Sequence, residues 1–242
     1  MMWELTKDYR LRWMDFDRYG RIHPAVVLDI FQDIATLQAN DVGIGHDEML
    51  EKGVFWAVAR MKYEVLREPV QGSVVSASTW PHSPSHFSFM RDYLMADEDG
   101  AALIKATSEW VLIDAENREL ASVKDAIDLT DFETLEKRAF AKKPRKIKTF
   151  PIEGSPRRIV APAYSDIDLN GHMNNARYAY FAVDTMGDEG DRAIRSFQID
   201  YRVEALEGEE LRLYERDDED TVTIVGMNPE GKISFTCAME VR

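Results

Sequence analysis

The chain has 242 residues, of which 45% are hydrophobic and 31% charged, a balance that suits one large globular domain or two of ordinary size and excludes a disordered or fibrous protein. Its net charge of −14 would repel a phosphate backbone over most of the surface, which argues against nucleic-acid binding. No apolar run is long enough to cross a bilayer, the first residues lack the apolar core of a signal peptide, and the single cysteine, Cys237, leaves no intrachain disulfide, so a cytoplasmic protein is expected.

The first motif in chain order is Met14-Asp15-Phe16-Asp17-Arg18-Tyr19-Gly20-Arg21-Ile22-His23. It runs into a helical pattern: Pro24 suits the opening position, and Val27, Ile30, Phe31, Ile34 and Leu37 recur at helical spacing before Gly43. Residues 43–54 read as a short extra helix. Strand signals follow at Met61–Val65, Ser73–Trp80, Phe87–Ala96 and Ala102–Asp114, the last two joined by an Asp97-Glu98-Asp99-Gly100 turn. Thr130-Asp131-Phe132-Glu133 reads as a capping box opening another short helix. A basic, proline-containing linker comes next. Between Lys137 and Arg158 nine basic residues face one acid, Glu153, so that stretch carries a formal +8 and the rest of the chain about −22.

The first motif then recurs as Ser165-Asp166-Ile167-Asp168-Leu169-Asn170-Gly171-His172-Met173-Asn174, sharing D-x-D-x-x-G and an apolar residue two places on. Here Asn174 can cap a helix running to Met186, with Gly187 placed to end it. Residues 178–183 leave that helix almost no polar side, which predicts a helix wrapped by other structure. Strand signals at Ile199–Val203, Glu210–Glu215, Thr221–Met227 and Lys232–Val241, with an Asn228-Pro229-Glu230-Gly231 turn, complete the second copy. The offset between copies falls from 151 residues at the motif to 138 at the first strand and 131 at the last turn, so copy one carries the insertions. A helix followed by antiparallel strands, twice over, predicts an α+β protein in which each half curls a sheet around a helix and the halves pair as a pseudo-dimer. The expected division is an N-terminal domain 1–130, a linker 131–156 and a C-terminal domain 157–242.

Three readings compete for Asp166-Ile167-Asp168-Leu169-Asn170-Gly171-His172. An EF-hand calcium loop is rejected, because its twelfth position is Arg177 rather than a bidentate glutamate and no helix precedes it. Capping of the following helix is the favoured reading for Asp166, which has a counterpart in Asp15. An active site is the reading that copy comparison supports for the rest. Asn170 and His172 correspond to Tyr19 and Arg21, and Glu204 to Leu66, so the amide, the imidazole and this carboxylate occur only in copy two. For Glu204 the spacing alone leaves a solvated strand end equally open.

Asp168-Leu169-Asn170-Gly171-His172-Met173-Asn174-Asn175, with Tyr201-Arg202-Val203-Glu204 downstream, resembles the acyl-acyl carrier protein thioesterases of plant plastids and bacteria, over nearly the whole chain from about Tyr9 onward. The resemblance implies a tandem double hotdog fold, hydrolysis of a fatty acyl thioester on acyl carrier protein to free fatty acid, no metal and no organic cofactor. It also implies a catalytic set of Asp168, Asn170, His172 and Glu204. One position departs from it: plant members carry a cysteine directly after that glutamate, where this chain has Ala205. Cys237 reads as a small buried hydrophobe in the last strand, so a thiol nucleophile is not expected.

In this scheme Asn170 and nearby backbone N–H groups orient the carbonyl while Glu204 and His172 activate water. Asp168 either attacks directly to give an anhydride or only orients its neighbours, and both roles stay open. Copy one, with Trp56, Met61, Trp80, Phe87, Phe89 and Met90, offers the apolar slot for the acyl chain, although such residues in strands usually form ordinary core. A hotdog acyl-coenzyme A thioesterase is the nearest alternative. A non-catalytic acyl-binding module is the other, disfavoured by the complete polar set. Carrier proteins of this kind are acidic, so Lys142, Lys143, Arg145 and Lys146 are candidate docking residues, against the reading of a solvated linker kept extended by its charges. Monomer and homodimer are both left open.

Overall fold

The computed structural model describes residues 4–127, 135–187 and 192–242, and the capping box at 130–133 lies outside them. The chain divides into two units, Met1–Phe16 with Asp29–Pro144 and Asp17–Leu28 with Arg145–Arg242.

The first unit holds six strands, β1 (Leu5–Arg10), β2 (Val54–Val65), β3 (Val74–Pro81), β4 (Phe89–Ala96), β5 (Ala102–Asp114) and β6 (Leu120–Ala121). Their order is β1-β3-β4-β5-β2, all neighbours antiparallel, with β6 paired to β5. Alternation sets the buried face: Phe89, Arg91, Tyr93 and Met95 are all buried. Helix α1 (Pro24–Asp41), opened by Pro24 as its spacing predicts, lies for the most part in this unit. Its Phe31 ring packs 4.9 Å from that of Tyr93. The expected extra helix is α2 (His46–Glu51), whose Met49 joins Ile44, Val54, Phe89 and Leu112 in a buried cluster with Val123 of a further short helix, α3 (Val123–Ala126).

The second unit repeats the plan with β7 (Arg158–Val160), β8 (Ile194–Tyr201), β9 (Leu211–Asp217), β10 (Thr221–Met227) and β11 (Ile233–Val241) in the order β8-β11-β10-β9-β7. Its helix α4 (Arg177–Met186) places Tyr178 edge-on to Phe235 and Tyr201, at 5.2 and 5.4 Å between ring centres. The helix is less enclosed than its sequence suggests. Tyr178, Ala179, Ala182, Thr185 and Met186 are buried, whereas Tyr180, Phe181 and Val183 are half-buried and Asp184 is exposed. Asn174 is not the N-cap itself: the helix begins at Arg177 with Ala176 as its N-cap, and Asn174, two residues ahead, accepts the Ala176 N–H at its Oδ1 at 2.9 Å. Gly187 ends the helix at φ +73°, a conformation that other residues adopt only with strain.

The basic segment is held by its backbone. Within the first unit the Trp80 indole donates to the Lys137 carbonyl (3.0 Å), Asp92 accepts the Ala139 N–H (2.7 Å) and Arg60 donates to the Pro144 carbonyl (3.3 Å). Within the second, Gln198 donates to the Arg145 carbonyl (2.7 Å) and Asp200 accepts the Ile147 N–H (2.8 Å). Lys142, Arg145 and Lys146 are exposed on this anchored backbone, and Lys143, also exposed, pairs with Glu109.

Candidate active site

Both D-x-D turns are built alike. In copy one, Asp15 Oδ2 accepts the Arg12 N–H at 2.6 Å, and Asp17 Oδ1 accepts those of Tyr19 and Arg21 at 2.8 and 2.9 Å. In copy two, Asp166 Oδ2 accepts the Ala163 N–H at 2.9 Å and Asp168 Oδ1 accepts that of Asn170 at 2.8 Å. The Asp168 N–H donates to the His172 carbonyl at 3.0 Å, closing a turn in which Gly171 sits at φ +77°. Asp166 and one oxygen of Asp168 therefore do work that both copies need, the shaping of the turn.

What hangs on the turn differs. In copy two His172 Nδ1 lies 2.9 Å from Glu204 Oε2, with the imidazole 25% and the carboxylate 47% exposed. Glu204 is carried there by backbone bonds on either side: Arg202 and Val203 donate to the Ser234 carbonyl at 2.9 and 3.1 Å, and the Met173 N–H donates to the Ala205 carbonyl at 2.9 Å. In copy one the matching positions are Arg21 and the exposed Leu66, which cannot form such a pair. Asp168 sits in the same turn as His172. Asn170 stands exposed at its tip, its carboxamide without a partner among the described residues.

Tyr178 is a participant that motif reading did not single out. Its hydroxyl oxygen accepts the buried Ala205 N–H at 3.0 Å, which locks the residue following Glu204. Burial is the main cause that pushes the phenol up to about 12, so it is neutral at physiological pH. The signal was available, since at the motif's offset of 151 the copy-one counterpart of Tyr178 is Val27. Tyr178→Phe strands that N–H, and we expect a stability loss of about 1–3 kcal/mol by chemical denaturation, the usual cost of an unsatisfied buried donor. Turnover should fall with it, while KM changes little.

Cys237 is fully buried in β11, between Ile199 of β8 and Ile224 of β10. Burial, then the nearby Asp200, pushes its thiol up, which disfavours the thiolate a nucleophile needs. Cys237→Ser should keep most of the turnover and lose a modest ~1–3 kcal/mol of stability, read from a denaturation curve beside an activity assay. Abolished turnover in a folded variant would reinstate the thiol. Among the described residues no group of three or more His, Cys, Asp or Glu is placed to hold a metal ion, and no helix is long and apolar enough to cross a membrane.

Comparison with known proteins points one way. The family model for the acyl-ACP thioesterase N-terminal domain matches residues 4–129, and that for the C-terminal domain matches residues 151–234. The chloroplastic oleoyl-acyl carrier protein thioesterase 1 of Arabidopsis thaliana is 27% identical over 195 residues, covering 74% of this chain and 54% of that protein. A chloroplastic acyl-[acyl-carrier-protein] hydrolase of Cuphea viscosissima is 26% identical over 163 residues, covering 63% of this chain and 39% of that protein. The chain spans about half the length of the curated relatives it matches. Among solved structures, an acyl-ACP thioesterase from Bacteroides thetaiotaomicron superposes with a TM-score of 0.90 at 24% identity, covering 99% of this chain and 98% of that one. The 12:0-ACP thioesterase from Umbellularia californica gives 0.89 at 21% identity, covering 100% and 98%. These likenesses establish the fold as a double hotdog.

Proposed function

Because the chain belongs to the acyl-ACP thioesterase family, we propose that it hydrolyses the thioester of a fatty acyl chain carried by acyl carrier protein, releasing free fatty acid and carrier thiol. The observation that carries this reading is the His172–Glu204 pair at 2.9 Å, assembled only in the copy whose turn also bears Asn170. With Glu204 accepting from Nδ1–H, the imidazole is the tautomer whose Nε2 lone pair can take a proton. That nitrogen accepts a proton from water as the water oxygen bonds to the thioester carbonyl carbon. The C–S bond then breaks, and the proton passes to the departing sulfur. The Asn170 carboxamide, standing without a partner among the described residues, supplies N–H donors for the carbonyl oxygen as it gains negative charge.

Asp168 is assigned the positioning role rather than that of nucleophile. One of its oxygens is committed to the Asn170 N–H, as Asp17 is to the same place in a copy without the pair. The first unit takes up the acyl chain in this scheme, and the exposed Lys142, Lys143, Arg145 and Lys146 favour the approach of an acidic carrier. A cytoplasmic location belongs to the proposal on composition and the single cysteine; the plant relatives named above are chloroplastic. Turnover measured on matched carrier-protein and coenzyme A thioesters tests the reading. Preference for the carrier-protein series is expected, equal or better turnover of coenzyme A thioesters would reassign the carrier, and inertness towards both would remove the hydrolase.

A further inference from the structure

The helix-facing side of the first unit carries polar groups that its own architecture does not use. On α1, Phe31, Ile34 and Gln38 follow one helical stripe, and all three are buried, Gln38 at 2% exposure. A glutamine thus stands where the pattern calls for an aliphatic residue, and neither Oε1 nor Nε2 has a hydrogen-bond partner among the described residues. Arg91 of β4 is equally enclosed, at 4% exposure. Its guanidinium donates to Thr79 Oγ1 at 3.3 Å, and no carboxylate pairs with it among the described residues.

Both groups belong to the region where α1 packs on β4. Phe31 packs on Tyr93, while Ala39 and Val42, just past Gln38, pack against the cluster containing Phe89. Arg91 lies between Phe89 and Tyr93 on the same face of β4, opposite Ser108 of β5. The neighbouring hydroxyls are already committed: Ser108 Oγ bonds Tyr93 Oη (2.8 Å) and accepts from the Trp110 indole (2.7 Å), and Thr79 Oγ1 donates to the Asp92 carbonyl (3.1 Å). An amide and a guanidinium are therefore enclosed in the first unit with hydrogen-bonding capacity to spare.

We propose that Gln38 and Arg91 form a polar subsite for a hydroxyl group on the acyl chain, so that hydroxylated fatty acyl thioesters are preferred to plain ones of equal length. This rests on the reading that the first unit takes up the acyl chain. A hydroxyl carries one donor and two acceptor lone pairs, so it can donate to Gln38 Oε1 while accepting from Gln38 Nε2 and the Arg91 fork. A keto or carboxylate oxygen would satisfy the arginine but leave Oε1 without a donor. A plain hydrocarbon leaves both residues unpaired, and sites built to bond a substrate hydroxyl reject the analogue lacking it by factors that reach about 10⁴.

The test compares kcat/KM on carrier-protein thioesters of one length, plain or with the hydroxyl at successive carbons. Wild type should favour one hydroxylated isomer by at least about tenfold, the lower end of what one recovered hydrogen bond to a charged group gives. Gln38→Leu and Arg91→Met should each abolish that preference. Absence of preference at every position, or its survival in both variants, overturns the proposal. Turnover of the plain thioesters separately reports on the hydrolase reading. Should nothing be hydrolysed, the thermal shift of the full chain still decides: free hydroxy fatty acid should raise Tm more than the plain acid, and only in wild type. Gln38→Leu should also raise the Tm of the unliganded protein by removing an unpaired amide, whereas a drop in Tm would mean that buried water satisfies Gln38, and the subsite is withdrawn.

Discussion

Replacing His172 with alanine should lower kcat by about 10²–10⁴, the scale of losing a positioned acid–base group. Glu204→Ala should approach it, because without the 2.9 Å contact at Nδ1 nothing holds the imidazole in the tautomer that offers Nε2 to water. The double variant should lose little more than the worse single one, since groups that act as a unit are not additive. Asn170→Ala should cost roughly 10²–10³, the loss of one donor to a developing oxyanion. All three side chains are at least partly exposed and the turn is held by backbone bonds, so circular dichroism and melting should match wild type. Arg21→Ala, the copy-one counterpart of the histidine, serves as control and should leave kcat unchanged. His172→Ala with wild-type turnover on the best acyl substrate would end the active-site assignment.

The repeat made most of the fold legible, because alternation and turn chemistry are local signals. β5 and β10 carry the bounds read from alternation, and both hairpin turns close through the side chain of their first residue, Asp97 on Ala101 and Asn228 on Lys232. β1 and β7 were not legible. Each lies at the end of its sheet's strand order, where Lys7, Asp8, Arg10 and Arg158 break the alternation with charge. β2 begins at Val54, well before the readable Met61, because its register on β5 shifts between Val58 and Arg60 and disturbs the period-two pattern. At the site, copy comparison picked out His172 and Glu204 but could not pair residues so far apart in sequence. That pairing depends on Ala205, a residue with no functional group, whose carbonyl accepts the Met173 N–H and whose own N–H donates to the Tyr178 hydroxyl. The anchoring of the basic segment was likewise hidden, since Trp80, Arg60 and Gln198 bind its carbonyls rather than its side chains.

Changing Lys142, Lys143, Arg145 and Lys146 together to glutamate should lower kcat/KM for acyl carrier protein substrates by about 10–10², within the range by which electrostatic steering alters association. The premise is a conflict of charge: in the proposed function an acidic carrier approaches a chain of net charge −14. Screening resolves it, because at physiological ionic strength the Debye length is about 8 Å and a nearby basic cluster outweighs distant acidic surface. Three of the four cations are solvated, while Lys143 pairs with Glu109 and is partly neutralised, so its share of the effect should be the smallest. The variant changes charge without releasing the segment, whose backbone is held at Pro144, Arg145 and Ile147 by Arg60, Gln198 and Asp200. The loss should appear in kcat/KM rather than kcat, and added salt should shrink it. Hydrolysis of a small uncharged thioester should barely change, because it needs no steering. Equal losses on both substrates would point to a disturbed site, and unchanged kcat/KM on both would take the four residues out of carrier recognition.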